Sequence, residues 1–442
     1  MTTHRLRDVA LVLTSNVDKV IDPDEHPVRL CNYVDVYKSN FINNDMPFNR
    51  GSASAAEIKK FRVQVDDVII TKDSETADDI GVPALVRSTG YDLVCGYHLS
   101  ILRADRRRMI GPFLYWHLLS KQSREDFRNA ANGVTRYGLT LGGIKGIPVN
   151  VPDLATQRQI ADFLDRETAR IDLLIEKKQR FIETLSESRL TAAPSVIRAF
   201  GGPEMKESPD TFDIHFDASG WSVGRVKHVV RLMTSGSRGW SDLIQDDGEL
   251  FLQSGNIGRH NEIVLSEAKR IIPQTNAEAR RTRLKDADTL VCITGGRTGA
   301  VGFLETVPET AYVNQHICLL RPEPKKIYPK LLAQSLYSEI GQRQFSFFQY
   351  GLKQGLGFSQ VGEIRLPIPP QDLQRKISSE IDRIFERIGS TQSLQERSID
   401  RLKEYRSALI TAAVTGQIDV STYTKSGTPD RRLDAIQEEM DA

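Results

Sequence analysis

Short apolar runs set between glycine-containing turns alternate along this chain with two long polar stretches that carry an apolar stripe. The runs Asp67-Val68-Ile69-Ile70 and Thr289-Leu290-Val291-Cys292-Ile293 predict buried strands, and one helix is predicted near residues 111–120 and another near 329–340. Steps of four and three from Ile160 give Ile160, Leu164, Glu167, Ile171, Leu174, Lys178, Phe181, Leu185, Ser188 and Ala192, seven of them apolar. Adding 217 to each gives Ile377, Ile381, Ile384, Ile388, Thr391, Gln395, Ser398, Leu402, Tyr405 and Leu409, again seven apolar. Pro152-Asp153 and Pro369-Pro370 predict helix starts, while Pro194 and Gly416 predict the stops. A helix over residues 156–193 would be about 57 Å long. Its stripe is too apolar to face water alone, so the two helices are expected to pair as an antiparallel coiled coil with a globular domain at each end. In the alternative, each helix merely covers its own domain.

The equal spacing of the two stripes is part of a larger repeat, and repeats of this kind decide the fold. Residues 147–160 read IPVNVPDLATQRQI and residues 364–377 read IRLPIPPQDLQRKI, so that Gln157-Arg158-x-Ile160 falls on Gln374-Arg375-x-Ile377. Residues 98–120 match 316–338 at His98 and His316, Arg103 and Arg321, Leu114 and Leu332, and the final serine. Arg5-Leu6-Arg7-Asp8-Val9 resembles Arg225-Val226-Lys227-His228-Val229. The period, near 218 residues, makes each copy a domain and excludes a solenoid of short repeats. The expected fold class is α+β: two tandem globular domains separated by two long helices, with pseudo-two-fold symmetry. The boundaries read as a first domain at 1–150, a first helix at 151–200, a linker at 201–220, a second domain at 221–366, a second helix at 367–416 and a polar tail at 417–442.

The chain has 442 residues and a net charge of +1, which is informative only when divided. Residues 1–150 hold 20 basic against 18 acidic side chains and residues 221–366 hold 19 against 14, whereas the remainder is acidic. Basic charge in the domains is the direction expected for surfaces that face phosphates. No apolar run approaches the roughly 20 residues of a membrane helix, and the first residues show no secretion signal, so a cytoplasmic protein is expected. Four scattered cysteines (Cys31, Cys95, Cys292, Cys318) and eight scattered histidines lack metal-ligand spacing, so no metal is expected. The glycine-rich segment 295–302 lacks the Lys-Ser/Thr of a phosphate-binding loop, and neither a nucleophile elbow nor an amino-methylation motif is present. Duplicated domains on helical spacers without chemistry of their own suit a recognition subunit; a protein-protein scaffold holding two copies of a partner is the alternative.

The pattern IPVNVPDLATQRQIADFLDRETARIDLLIEKKQ, repeated as LPIPPQDLQRKISSEIDRIFERI, resembles the helix-start motif of the specificity subunits of Type I restriction-modification systems. The resemblance spans nearly the whole chain: a proline-rich start, Gln-Arg-x-Ile and a heptad helix ending in Thr-Ala-Ala, twice. The family often has Glu-Gln where this chain has Thr156-Gln157 and Leu373-Gln374. It implies a prokaryotic, non-catalytic subunit whose domains each read one half of a bipartite double-stranded DNA target. The helices would set the spacing and dock two modification (methyltransferase) subunits. S-adenosylmethionine would be carried by those subunits, and ATP and Mg by any restriction/translocase subunit.

On that reading, loop position and side-chain chemistry select the DNA-facing residues. Loop 132–139, with Thr135, Arg136 and Tyr137, corresponds to 350–356, with Lys353 and Gln354; both hold long polar donors between glycines. Arg and Lys can read guanine and Gln adenine in the major groove. Lys72 and Ser74 are paired with Arg297 and Thr298, and Arg238 lies in the segment 235–240. Lys38 and Arg259 complete the set. Gln157, Arg158, Ile160, Leu164, Ile171, Leu174, Phe181 and Leu185 of the first helix are assigned to helix pairing and partner docking. Gln374, Arg375, Ile377, Ile381, Ile384, Ile388, Leu402 and Leu409 are their counterparts.

Overall fold

The computed structural model describes residues 2–207, 214–217, 220–236, 238–258, 260–349 and 355–420. Two compact units divide the chain: Met1–Lys178 with the residues from Glu396 onward, and Gln179–Gln395. Each long helix therefore contributes one half to each unit. No helix of the described residues is long and apolar enough to cross a membrane.

The first unit is built on a five-stranded sheet in the order Ala10–Thr14, Leu99–Ala104, Val68–Thr71, Pro83–Val86, Phe41–Ile42. The central strand Val68–Thr71 is buried along its whole length, which explains why its sequence is a continuous apolar run. Successive side chains serve opposite faces. Val68 and Ile70 meet Phe113, Leu114 and Tyr115 of the helix Gly111–Leu118. Ile69 points into a second core with Val36, Val86 and Cys95. A three-stranded sheet (Asn49–Ala53, His26–Cys31, Leu93–Cys95) lies beyond, its last pair parallel.

The second unit repeats the plan. Val230–Ser235, Ile317–Pro322, Asp288–Cys292 and Val301–Leu304 form an antiparallel sheet. Leu290 and Cys292 fill one core and Val291 another. A second sheet follows the order Ile244–Gln245, Lys269–Ile271, Glu249–Leu252, Ala311–Val313, again with a parallel last pair. The helices Pro329–Tyr337 and Glu339–Phe348 answer to Gly111–Leu118 and Lys121–Ala130. Both domains are thus α+β, as the apolar pattern predicts.

Each domain begins with a strand that pairs with the strand leading into its long helix: Thr2–Arg5 with Pro148–Val151, and Ser222–Arg225 with Arg365–Ile368. The first long helix runs Leu154–Ala199. Asp153 caps it, its carboxylate accepting from the amides of Ala155 and Thr156 at 3.0 Å each. The second runs Gln371–Val414. Pro194 does not stop the first helix. Burial of Ala192, Ala193, Val196 and Ile197 in the second unit holds the turn on which the proline lies, offsetting the hydrogen bond it lacks. The chain leaves the helix instead at Gly201, whose φ is +80°. The segment expected as a plain linker contains a two-stranded hairpin, Met205–Glu207 with Ile214–Phe216.

Within the first unit Ile160, Leu164, Ile171 and Leu174 share one core with Leu402, Leu409, Ile410 and Ala413, and Arg406 donates to Asp172 at 2.9 Å. Within the second, Gln392 donates to Ser186 Oγ at 2.9 Å and Arg189 to the Phe385 carbonyl at 3.3 Å. The partner number falls as the residue number rises, so these two segments are antiparallel. The helices pair and also cover their own domains: Ile160 and Leu164 pack with Phe113 and Trp116, and Ile377 and Ile381 with Leu332 and Leu336.

The heptad register needs correction. Phe181 is 43% exposed, Leu185 and Ile384 are only half-buried, and the stripe passes instead through Ile182 and Arg189 on the first helix and Phe385, Gln392 and Ile399 on the second. On the second helix, steps of four then three from Ile381 give Phe385, Ile388, Gln392, Gln395, Ile399, Leu402, Arg406 and Leu409. Ile377, Ile381, Ile388, Leu402 and Leu409 are buried as expected.

Candidate nucleic-acid interface

Side chains shared by the two copies fasten each domain to its helix. Gln157 is fully buried: its Oε1 accepts from the Ile110 amide (2.9 Å) and its Nε2 donates to the carbonyls of Arg108 (2.8 Å) and Pro152 (2.9 Å). Gln374 repeats the set with Tyr328 N (2.5 Å), Lys326 O (3.2 Å) and Pro369 O (2.9 Å). The glutamine of the Gln-Arg-x-Ile motif is therefore an internal clamp that ties helix start to domain, and neither Gln157 nor Gln374 is available to a partner. Arg158 and Arg375, beside them, are exposed, and Arg375 lies over the Tyr328 ring.

Arg103 and Arg321, matched by the repeat, have the same structural role. Arg103 holds both oxygens of Asp67 and the Arg62 carbonyl; Arg321 holds both oxygens of Asp288 and the Arg283 carbonyl. Trp116 and Gln334 donate to the equivalent carboxylates Asp165 (2.8 Å) and Asp382 (2.9 Å). The basic turn 106–108 is also used internally: Arg107 pairs with Asp105 and Arg108 donates to the Asp8 carbonyl.

One edge of the first unit brings several of the residues selected from the sequence together. A three-stranded sheet of Ala131–Asn132, Tyr137–Leu139 and Asp73–Ser74 sets Tyr137 opposite Ser74 and Gly138 opposite Asp73. Residues 133–136 form the tip of its hairpin, and Thr135 and Arg136 are exposed there. Gly133 has φ +136°, and a Cβ there would stand 2.0 Å from the Arg136 carbonyl oxygen, so only glycine fits the turn. Beside the hairpin, the short helix Tyr33–Tyr37 stacks its two tyrosine rings at 5.4 Å. Tyr37 donates to Asp79 at 2.5 Å, which pushes the Tyr37 hydroxyl pKa above its ordinary value. Tyr33 is also raised, by burial and by the charge of Asp79, against the opposing hydrogen bond of Ser74 and the charge of Arg136. Its hydroxyl thus sits among the predicted residues. Asp73 binds His98 Nδ1 at 2.7 Å.

Ser74, Thr135, Arg136 and Tyr137 are therefore brought together, with Lys72 one residue before the hairpin's partner strand. Lys72 is half-buried and its Nζ reaches the Ser15 carbonyl at 3.5 Å. Lys38 is exposed at the end of the tyrosine helix. Tyr33, Tyr37 and the Asp73–His98 pair were not selected from the sequence. The Tyr-x-x-x-Tyr spacing and the matched histidines were the available signals.

The second unit places its polar edge on the same framework. Leu139 N donates to Lys72 O and Leu356 N to Ile293 O, each at 2.8 Å, while Lys72 N and Ile293 N donate to the carbonyls of His98 and His316. The structural counterpart of Lys72 is thus Ile293, not Arg297, because backbone pairing and not distance from a strand end decides the match. Thr294 replaces Asp73 and contacts His316 Nδ1 at 2.5 Å. Arg297 lies farther along the turn, donating to the carbonyls of Gly255 (2.8 Å) and Ile257 (2.6 Å), and Thr298 closes the turn on Gly295 O. Arg238 is exposed, next to Gly239 (φ +76°) and the buried Trp240. Arg259, Lys353 and Gln354 lie outside the described residues.

Residues 28–183 and 242–399 each match the family model of the Type I restriction modification DNA specificity domain. The chain is 18% identical over 378 residues, 83% of its length and 81% of the other's, to a Methanocaldococcus jannaschii protein named for the MjaX type I restriction enzyme specificity subunit. It is 22% identical over 282 residues, 61% of its length and 58% of the other's, to the type I restriction enzyme EcoBI specificity subunit of Escherichia coli. In fold it is similar to a solved chain from work on complex assembly and conformational transition of the type I R-M system. That match has a TM-score of 0.67 at 16% identity, covering 94% of this chain and 98% of that one.

Proposed function

Because this chain belongs to the family of the Type I restriction modification DNA specificity domain, we propose that it is the DNA sequence-recognition subunit of a Type I restriction-modification complex and catalyses nothing itself. The observation that carries this reading is the family match in two copies, which falls on two units built to one plan. Each unit reads one half of a bipartite target, the first at its hairpin edge, where exposed side chains can meet base edges. The two long helices set the distance between the half-sites and, through their exposed faces, dock two modification subunits. Those subunits carry S-adenosylmethionine, the methyl donor. Where a restriction subunit joins, it carries ATP and Mg.

The test is to co-express the chain with the modification subunit encoded beside it and map modified bases across the host genome. A two-part motif with a fixed unread interval is the expected outcome. A stable complex that modifies no two-part motif would contradict the proposal and favour a scaffold.

A further inference from the structure

The hairpin tip of the first unit combines three properties. Its turn admits only glycine at 133, and the hairpin base is paired to Asp73–Ser74. Arg136 is exposed and makes no ion pair or hydrogen bond among the described residues, unlike Arg29, Arg87, Arg103 and Arg107, which are all held by carboxylates. Val134 is 90% exposed, more than any other large hydrophobic side chain among the described residues. An apolar side chain on an exposed tip beside an unpaired guanidinium has no partner within its own unit.

A two-stranded β-ribbon is one of the shapes the major groove of B-form DNA admits. There an arginine can bond guanine O6 and N7 together, and an apolar side chain can meet the 5-methyl group of thymine. We infer that the tip 133–136 is a base-reading head, Arg136 taking a guanine edge and Val134 the methyl group of a nearby thymine in duplex DNA. At the hairpin base Tyr137 is paired with Ser74, and the Tyr33 hydroxyl lies near enough to Arg136 to feel its charge. This inference rests on the recognition reading above and names the bases that one half-site contains.

The experiment maps modified bases in cells holding the modification subunit with the wild-type chain, Arg136→Ala or Val134→Ser. Both side chains face water, so neither substitution opens the core. Arg136→Ala is expected to relax discrimination at one guanine of one half-site by about tenfold or more. Val134→Ser should relax a thymine in the same half-site by about fivefold, and the other half-site should stay intact. An unchanged motif in both variants would overturn the inference, as would an equal loss at all sites, which marks a phosphate contact. A wild-type chain that directs no two-part motif would overturn the recognition reading itself.

Discussion

The two units keep the same bonds where domain meets helix and different ones where the domain faces outward. Gln157 and Gln374 make the same three hydrogen bonds, and Arg103–Asp67 and Arg321–Asp288 the same bidentate pair with the same extra carbonyl. At the outer edge, Asp73 with His98 gives way to Thr294 with His316, and Lys72 to Ile293. The first unit adds a tyrosine helix, while the outer sheet of the second keeps the same strand order and adds the edge strand Ile244–Gln245. The frame that ties domain to helix is common to both units and the outward edge is not, as the proposed reading expects of two domains that recognise different half-sites.

The largest effect expected from breaking the shared frame is at Arg321. Asp288 is completely buried, so Arg321→Ala leaves a buried carboxylate with no counter-charge and only the Lys285 amide as donor, and should destabilise the second unit by about 3–5 kcal/mol. Arg103→Ala strands Asp67, only 2% exposed, in the same way and should cost somewhat less, since water reaches the 24%-exposed site of the Arg103 side chain. Segment-resolved hydrogen exchange in urea measures both.

Acid should separate the units next. His117 in the first unit is buried, the Asn150 amide donates to its Nε2 at 3.0 Å, and burial pushes its pKa down to about 4. The neutral ring is the folded form. Its contribution, about 3 kcal/mol from an ordinary pKa near 6.5, is complete above that value and is lost as pH falls through 4. Position 335 in the second unit is serine and carries no such dependence. The first unit is expected to lose protection against exchange between pH 6.5 and 4 more steeply than the second, and His117→Gln should abolish the difference; equal slopes would contradict the assignment.

Gln157→Ala and Gln374→Ala test the clamp itself. Each leaves a half-buried amide, at Ile110 or Tyr328, without its acceptor, so each should cost about 2 kcal/mol. Fast exchange at those two amides is the readout, and a large effect in one unit alone would break the equivalence. The smallest expected difference is at the helix caps. Asp153→Ala should cost about 1 kcal/mol, visible as fraying of the first helical turn. The second helix has Pro370 at the corresponding position, which offers no side-chain acceptor.

Much of this frame was legible in the sequence because the repeat exposes it. A central strand buried on both faces is written as Val-Ile-Ile, and the glutamine clamp as a motif that recurs at an offset of 217. Its function as a clamp was not legible, because the partners of Gln157 are backbone groups of a turn 47 and 49 residues away. The heptad phase was ambiguous for a physical reason. On the second helix, the positions 381, 385, 388, 392, 395, 399, 402, 406, 409 and 413 hold as many apolar residues as the phase through Ile384 and Ser398, so counting cannot choose between them. On the first, the inward face passes from Leu174 to Lys178 and on to the half-buried Ile182, two successive steps of four where a strict seven-residue repeat requires four and then three. At the edge, Arg297 looked equivalent to Lys72 because both follow a strand, whereas the hydrogen bonds to the matched histidines pair Lys72 with Ile293.

On the proposed reading the edge carries the specificity, so the frame should accept an exchanged domain. Replacing residues 221–366 by a second copy of residues 1–150 preserves the groups that the Gln374 clamp needs, since Arg108 and Ile110 supply the same carbonyl and amide as Lys326 and Tyr328. Modified-base mapping of that chain with its modification subunit should return a motif in which the first half-site occurs twice. The original motif, unchanged by the exchange, would contradict the account.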